Sequence, residues 1–173
     1  MKTRKLAIDA MLAAMCAVLG YLALDTGAVK VTFESLPVIL GALLFGPVDG
    51  MLVGVIGTFI YQLLRYGLDA STLLWIIPYL ACGLLVGLYS KKLNFNPTGK
   101  KLTLAIAIGE LVIFIINTGS LIIYNKYITM AADPFAYVMG ALPIRFGICV
   151  VKIIAYALVL PPIIKATRGI ARG

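Results

Sequence analysis

The sequence predicts an all-α integral membrane protein: one bundle of six transmembrane helices with both termini in the cytoplasm. Three observations carry that reading. Hydrophobic residues make up 62% of the 173 residues and charged residues 13%, whereas a soluble domain is about half apolar and about a quarter charged. The apolar residues come in runs close to the ~20 that a spanning helix needs. Stretches such as 80–88 and 111–123 show almost no polar face at the helical period. The third observation is where the positive charge sits. The net charge is +8, and ten of the fifteen basic residues fall in three short segments: Lys2, Arg4 and Lys5; Lys91, Lys92, Lys100 and Lys101; Lys165, Arg168 and Arg172. All three flank apolar runs, which is how cytoplasmic ends are marked. No interleaving of basic and aromatic residues accompanies the charge, so nucleic acid is not the expected partner. The lipid bilayer is.

Taken in order, the apolar runs place helix 1 over residues 6–24, helix 2 over 35–45, helix 3 over 50–66, helix 4 over 72–89, helix 5 over 102–124 and helix 6 over 135–164. All belong to a single transmembrane domain, residues 1–173. The basic start followed by an apolar run resembles a signal peptide. The run is too long for the apolar region of one and lacks an A-x-A cleavage site, so it reads as helix 1. Helix 2 is shorter than a full span and is expected to tilt, to sit partly re-entrant, or to merge with helix 3 around Gly46-Pro47. With the N-terminus inside, the connection 90–101 and its four lysines fall in the cytoplasm. The connections 25–34, 67–71 and 125–134 face outside.

Charges inside spanning helices are costly and mark candidate functional positions. Here they are Glu110 in helix 5 and Arg145 and Lys152 in helix 6. Glu110 and Asn117 are seven residues apart and share one face of helix 5, as Arg145 and Lys152 share one face of helix 6. Because the two helices run in opposite directions, the faces match rung for rung. Lys152 stands level with Glu110 in the inner half and can neutralise it, while Asn117 and Arg145 face an upper level open to a ligand. Arg65 and Lys126 add positive charge near the same mouth, and Lys30 is either part of that set or simply solvated. Glu34, beside Phe33, either complements the N-terminus of helix 2 or accepts hydrogen bonds from a ligand. Aromatic residues gather toward the outer ends, among them Tyr66, Trp75 and Tyr79. They read as an interfacial belt or as platforms for a ring-containing ligand, with Trp75 and Tyr79 forming one ledge on helix 4.

Helix 1 repeats small residues as Ala10-x-x-x-Ala14 and Ala13-x-x-x-Ala17, and Gly46, Gly50 and Gly54 repeat at the same interval. Such spacing lets helices approach closely in lipid, within the bundle or against a partner subunit. The chain has no histidine, and Cys16, Cys82 and Cys149 are isolated in apolar runs, so no metal site, cofactor or catalytic residue is expected. Without a phosphate-binding loop or a nucleophile motif, any ATP hydrolysis belongs to another chain.

The stretch Phe33-Glu34-Ser35-Leu36-Pro37 through Leu44-Phe45-Gly46-Pro47-Val48-Asp49-Gly50, the glycine-rich helix 3 and the helix 1 alanines resemble the S components of energy-coupling factor (ECF) vitamin transporters. The resemblance covers essentially the whole chain. It implies a six-helix subunit of the bacterial plasma membrane that binds a vitamin from outside. It also implies docking through helix 1 (Ala10, Ala13, Ala14 and Ala17 here) onto a transmembrane coupling subunit that bears two ATPases. The runs Ile116-Asn117-Thr118 and Leu142-Pro143-Ile144-Arg145-Phe146 look like the folate-specific members. Folate would suit aromatic ledges, the acceptors Glu34 and Asn117, and basic residues for its carboxylates. One departure is that family members often carry Asp in the outer half of helix 3, where Thr58 and Gln62 stand here. The implied ligand set is therefore Phe33, Glu34, Arg65, Tyr66, Trp75, Tyr79, Asn117, Lys126 and Arg145. Other readings are an S component for riboflavin, biotin, thiamine or pantothenate, a stand-alone secondary carrier, an intramembrane enzyme, or a structural helper subunit.

Overall fold

In the computed structural model, which describes residues 2–25, 29–69 and 71–172, six helices follow one another: α1 (Lys2–Tyr21), α2 (Ser35–Phe45), α3 (Pro47–Tyr66), α4 (Thr72–Lys92), α5 (Lys100–Tyr127) and α6 (Pro134–Arg172). Parts of two expected connections, at 26–28 and 70, lie outside the described residues, as do the side chains of Lys2, Arg168 and Arg172. Four of the helices (α3, α4, α5 and α6) are long and apolar enough to cross a membrane.

The chain departs from an all-α fold at one place. Residues 24 and 25, expected at the end of helix 1 and the start of a loop, form a strand β1 (Leu24–Asp25) that pairs antiparallel with β2 (Lys30–Val31). Asp25 stands opposite Lys30 and Leu24 opposite Val31, so unlike charges face each other across the ladder. Helix α1 stops at Tyr21 because its last carbonyls find another donor. The Arg65 guanidinium donates to the carbonyl oxygens of Tyr21 at 3.0 Å and Ala23 at 2.8 Å, groups that a helix C-terminus leaves unpaired.

Other ends run past the apolar pattern. Helix α4 continues over Lys91 and Lys92, and α6 over Lys165 and beyond. Lysine is a good helix former, so hydropathy marks where lipid ends rather than where the helix does. Helix α5 gains a turn at its far end, where Asn125 donates to the Leu121 carbonyl at 2.8 Å.

Helix α2 is the centre of the bundle. Eight of its eleven residues are buried, and Val38, Ile39 and Ala42 are wholly enclosed. It packs against every other helix. Its polypeptide enters low: Thr32 donates to the Leu19 carbonyl at 3.1 Å, so the chain descends beside the last turn of α1 before α2 begins, and eleven residues then suffice to reach the basic end. There Gly46, at φ 108°, makes the reversal that a side chain would strain, and Pro47 opens α3 at the first helical position. Lys5 of α1 pairs with the buried Asp49 of α3 at 2.8 Å.

Glycine sets the closeness of α3 and α4. Gly50 and Gly83 meet backbone to backbone, a Cβ at Gly87 would run into Pro47, and a Cβ at Gly54 would stand 2.8 Å from the Tyr79 carbonyl oxygen. The Gly46–Gly50–Gly54 series is therefore used inside the bundle. The outer faces are apolar instead: Leu88, Ile115, Val151, Ile154 and Leu158 are all exposed, as suits contact with lipid.

Gly83→Leu should drive α3 from α4 and destabilise the protein by roughly 1–3 kcal/mol or more, the usual range for overpacking. Gly140→Leu, where a Cβ meets nothing within 4 Å, should be neutral. Melting temperatures of the two variants in detergent check this, and equal stability would show that the seam tolerates widening.

Candidate functional site

The registers of α5 and α6 build the site from its floor. Lys152 Nζ lies 2.8 Å from Glu110 Oε2, and both side chains are more than nine-tenths buried. One turn higher, the rings of Phe114 and Phe146 meet edge-on with centroids 5.8 Å apart. Higher again stand Asn117 and Arg145. The rung-for-rung match that spacing predicts is thus the arrangement found, with the lower charges neutralising each other. Asn117 Oδ1 and Arg145 Nη1 are buried and have no hydrogen-bond partner among the described residues, and neither does Glu110 Oε1. A buried polar atom without a partner costs about 1–3 kcal/mol, which makes these three atoms places where a ligand gains most.

All three residues line one cavity of about 490 Å³, walled by α3, α4, α5 and α6 and bordered by the hairpin residues Asp25 and Lys30. Its wall on the α4 side is the ledge expected from the i, i+4 spacing of Trp75 and Tyr79. Trp75 is held by Tyr124 of α5, with ring centroids 5.7 Å apart, and Ser120 donates to the Leu74 carbonyl at 3.0 Å. Tyr61 and Tyr66 of α3 also line the space, so the outer aromatics form a wall as well as a rim.

Tyr66, Trp75, Tyr79, Asn117 and Arg145 are brought together there, and four other expected ligand residues are not. Glu34 is wholly buried beneath the hairpin and fully engaged on one oxygen: the Tyr79 hydroxyl donates to Oε1, and Lys30 Nζ lies 3.2 Å from the same atom. It makes no side-chain cap on α2. Instead it ties hairpin, α2 and α4 together. Arg65 is occupied by the carbonyls at the end of α1. Phe33 packs against Tyr156 of α6 at 6.3 Å, and Lys126 is exposed, with its ammonium 5.0 Å above the Tyr127 ring.

Lys30 is not merely solvated. It donates to the Tyr61 hydroxyl at 2.7 Å and sits 4.2 Å above that ring, completing an ionic clasp with Glu34. Other lining residues carry weaker signals in the sequence. Glu110 and Lys152 stand out as intramembrane charges but read as a closed pair, although both border the cavity. Asp25 and Asp69 sit in connections where no periodicity points to a site. Asp25 accepts from the Tyr66 hydroxyl at 2.7 Å, and Asp69 from the Ser71 hydroxyl at 2.8 Å.

The helix 1 alanines divide by face. Ala13 and Ala17 are buried, packed toward α3 where a Cβ on Gly57 would stand 2.9 Å from the Ala13 carbonyl oxygen. Within the bundle, neighbouring side chains already cover them. Ala10 and Ala14 are exposed, on a stripe with Met11, Met15 and Val18.

A search of curated proteins finds no match to this sequence. Residues 4–164 match the family model described as ECF transporter, substrate-specific component. With that match over nearly its whole length and four helices able to cross a bilayer, the chain is a multi-pass membrane protein belonging to the family of substrate-specific components of ECF transporters.

Proposed function

We propose that this chain is the vitamin-capturing subunit of a bacterial ECF-type importer, that its cargo is folate, and that it works with a transmembrane coupling subunit and two cytoplasmic ATPases. It performs no catalysis and needs no cofactor or metal. The observation that carries the reading is the cavity with unpartnered polar atoms on Asn117 and Arg145 set against an aromatic wall. A flat heteroaromatic ring suits the Trp75–Tyr79 ledge, since stacked rings bury much area at little entropic cost. An arginine with a free N–H in a low-dielectric setting calls for a carboxylate or carbonyl oxygen.

The proposed topology is six crossings with both termini in the cytoplasm of a plasma-membrane protein. Its support is the distribution of charge. Lys5, Lys91, Lys92, Lys100 and Lys101 lie at the end opposite the hairpin, and basic ends face inward. The cavity then opens outward. Helix α1 at twenty residues is ~30 Å long, a full hydrocarbon thickness. Helix α2 crosses on eleven residues because its start is already sunk beneath the hairpin.

A second reading rests on the charges of the lining. Three acids (Asp25, Asp69, Glu110) stand against three bases (Lys30, Arg145, Lys152), which leaves no excess positive charge for a ligand with two carboxylates. That balance favours a cargo with one carboxylate or none, such as biotin or riboflavin.

Calorimetry on the purified subunit, without nucleotide, decides between them. Tight binding of folic acid supports the first reading; silence with folic acid and heat with biotin or riboflavin replaces it with the second.

Arg145→Ala should weaken binding of the cargo about ten- to a hundredfold, because hydrogen bonds to charged groups contribute roughly 1.5–3 kcal/mol. Arg145→Lys should restore only part, a point charge replacing a planar fork. Since Arg145 Nη1 has no partner among the described residues, melting temperature without ligand should stay level or rise. A variant that binds normally but melts early would assign Arg145 to structure.

The exposed and buried alanines should separate in a paired experiment. Ala14→Trp is expected to abolish uptake by cells while binding by the isolated subunit persists. Ala13→Trp should lose both, because it collides with α3. Normal uptake by the Ala14→Trp strain would remove that face from coupling.

A further inference from the structure

The floor of the cavity carries a reader of its own. Glu110 lines the cavity, and its two oxygens differ: Oε2 is held by Lys152 at 2.8 Å, while Oε1 is buried and has no partner among the described residues. An ionised carboxylate accepts only, so a group meeting Oε1 must donate. Two turns above it along α5 stand Asn117 and, across from it, Arg145. Seven residues at 1.5 Å each place that level ~10 Å from the floor. Between the two levels the wall is Ile113, Phe114, Ile148 and Cys149, which offer nothing stronger than a weak thiol donor.

The geometry points to Glu110 as the residue that reads the inner end of the ligand: an N–H-bearing head group, such as a ring amide, amidine or ureide, sits at the floor on Glu110 Oε1, and an acceptor or carboxylate ~10 Å away along the ligand reaches Arg145. The ligand is thus polar at both ends, a donor below and an acceptor above, with a flat or apolar middle. This rests on the proposal that the cavity is the vitamin site, and adds the orientation and the residue that selects the head group. Lys152 becomes a positioning residue. By holding Oε2 it fixes the carboxylate and leaves the other oxygen for the ligand, and it offsets what an unpaired buried charge would cost.

A bare Glu110 substitution would strand Lys152, so the test removes both charges. Replacing a buried ion pair with apolar groups of similar volume is often neutral for stability or better, and Glu110→Leu with Lys152→Met should melt near the wild type. The second variant, Glu110→Gln with Lys152→Met, keeps an acceptor oxygen at the floor.

Folic acid is the first probe, titrated calorimetrically into all three proteins; biotin and riboflavin follow if the wild type does not bind it. The expected result is a ten- to hundredfold loss of affinity in the leucine variant and partial recovery in the glutamine variant. A folded leucine variant that binds its probe as the wild type does overturns the inference while leaving the vitamin site intact. Equal loss in the leucine and glutamine variants also overturns it, since the pair would then act through packing. Wild-type protein that binds none of the three probes overturns the vitamin reading itself, and this inference with it.

Discussion

The ion pair between Lys152 and Glu110 governs how the site can exist at all. Either charge alone in the middle of a bundle would be prohibitive, and breaking such a pair costs on the order of 3–5 kcal/mol. Held together, they lock the rotation and register of α5 against α6. Every rung above inherits that register: the phenylalanine pair one turn up, then Asn117 beside Arg145. With Lys152 engaged on Glu110, Arg145 has no acid left to neutralise it within its own rung. The lower pair is what leaves the upper arginine available.

A different kind of contact holds the other half of the bundle. In lipid the burial of apolar surface gives little drive for helices to associate, because tails are as apolar as leucine. Close backbone contact must supply it, and the α1–α3 and α3–α4 seams do so through Gly57 against the Ala13 backbone, Gly50 against Gly83, Gly54 against the Tyr79 carbonyl and Gly87 against Pro47. Helix α2 needs neither a charge nor a long span, since it is wrapped on all sides. The result is a tight half made of α1, α2, α3 and α4, closed by glycine and by the Lys30–Glu34–Tyr79 clasp, with α5 seated closely on α4 through Gly109 and α6 packed mainly on α5, so that the cavity lies between these helices and α3.

The helices are legible because hydropathy over ~20 residues is a coarse, robust signal, and the α5–α6 rungs because a seven-residue interval returns to the same face. Two things are hidden. The hairpin is two residues per strand, too short for alternation to register, and it replaces the end of helix 1 because Arg65 takes carbonyls that helix would otherwise have continued through. The face of each alanine on α1 is hidden as well. Two overlapping small-residue patterns look alike in one dimension, and only the position of α3 shows that Ala13 and Ala17 are inside while Ala10 and Ala14 are not.

The basic residues near the cavity end show why counting charge by neighbourhood misleads. Arg65, Lys30 and Lys126 read as one electropositive mouth, yet they act separately. Arg65 caps carbonyls, Lys30 clasps Glu34 and Tyr61, and Lys126 rests on Tyr127. A charge that already has a partner in a low-dielectric setting offers little to a ligand, since recruiting it means first breaking what it makes. Availability therefore follows from unsatisfied atoms and not from formal charge. By that measure the site is narrower and more specific than a basic funnel: one guanidinium nitrogen, one amide oxygen and one carboxylate oxygen, set at two depths along an aromatic wall. A ligand satisfies them only if its own donors and acceptors fall at the same two depths, which is how a cavity with no net formal charge can still discriminate among cargoes of similar size.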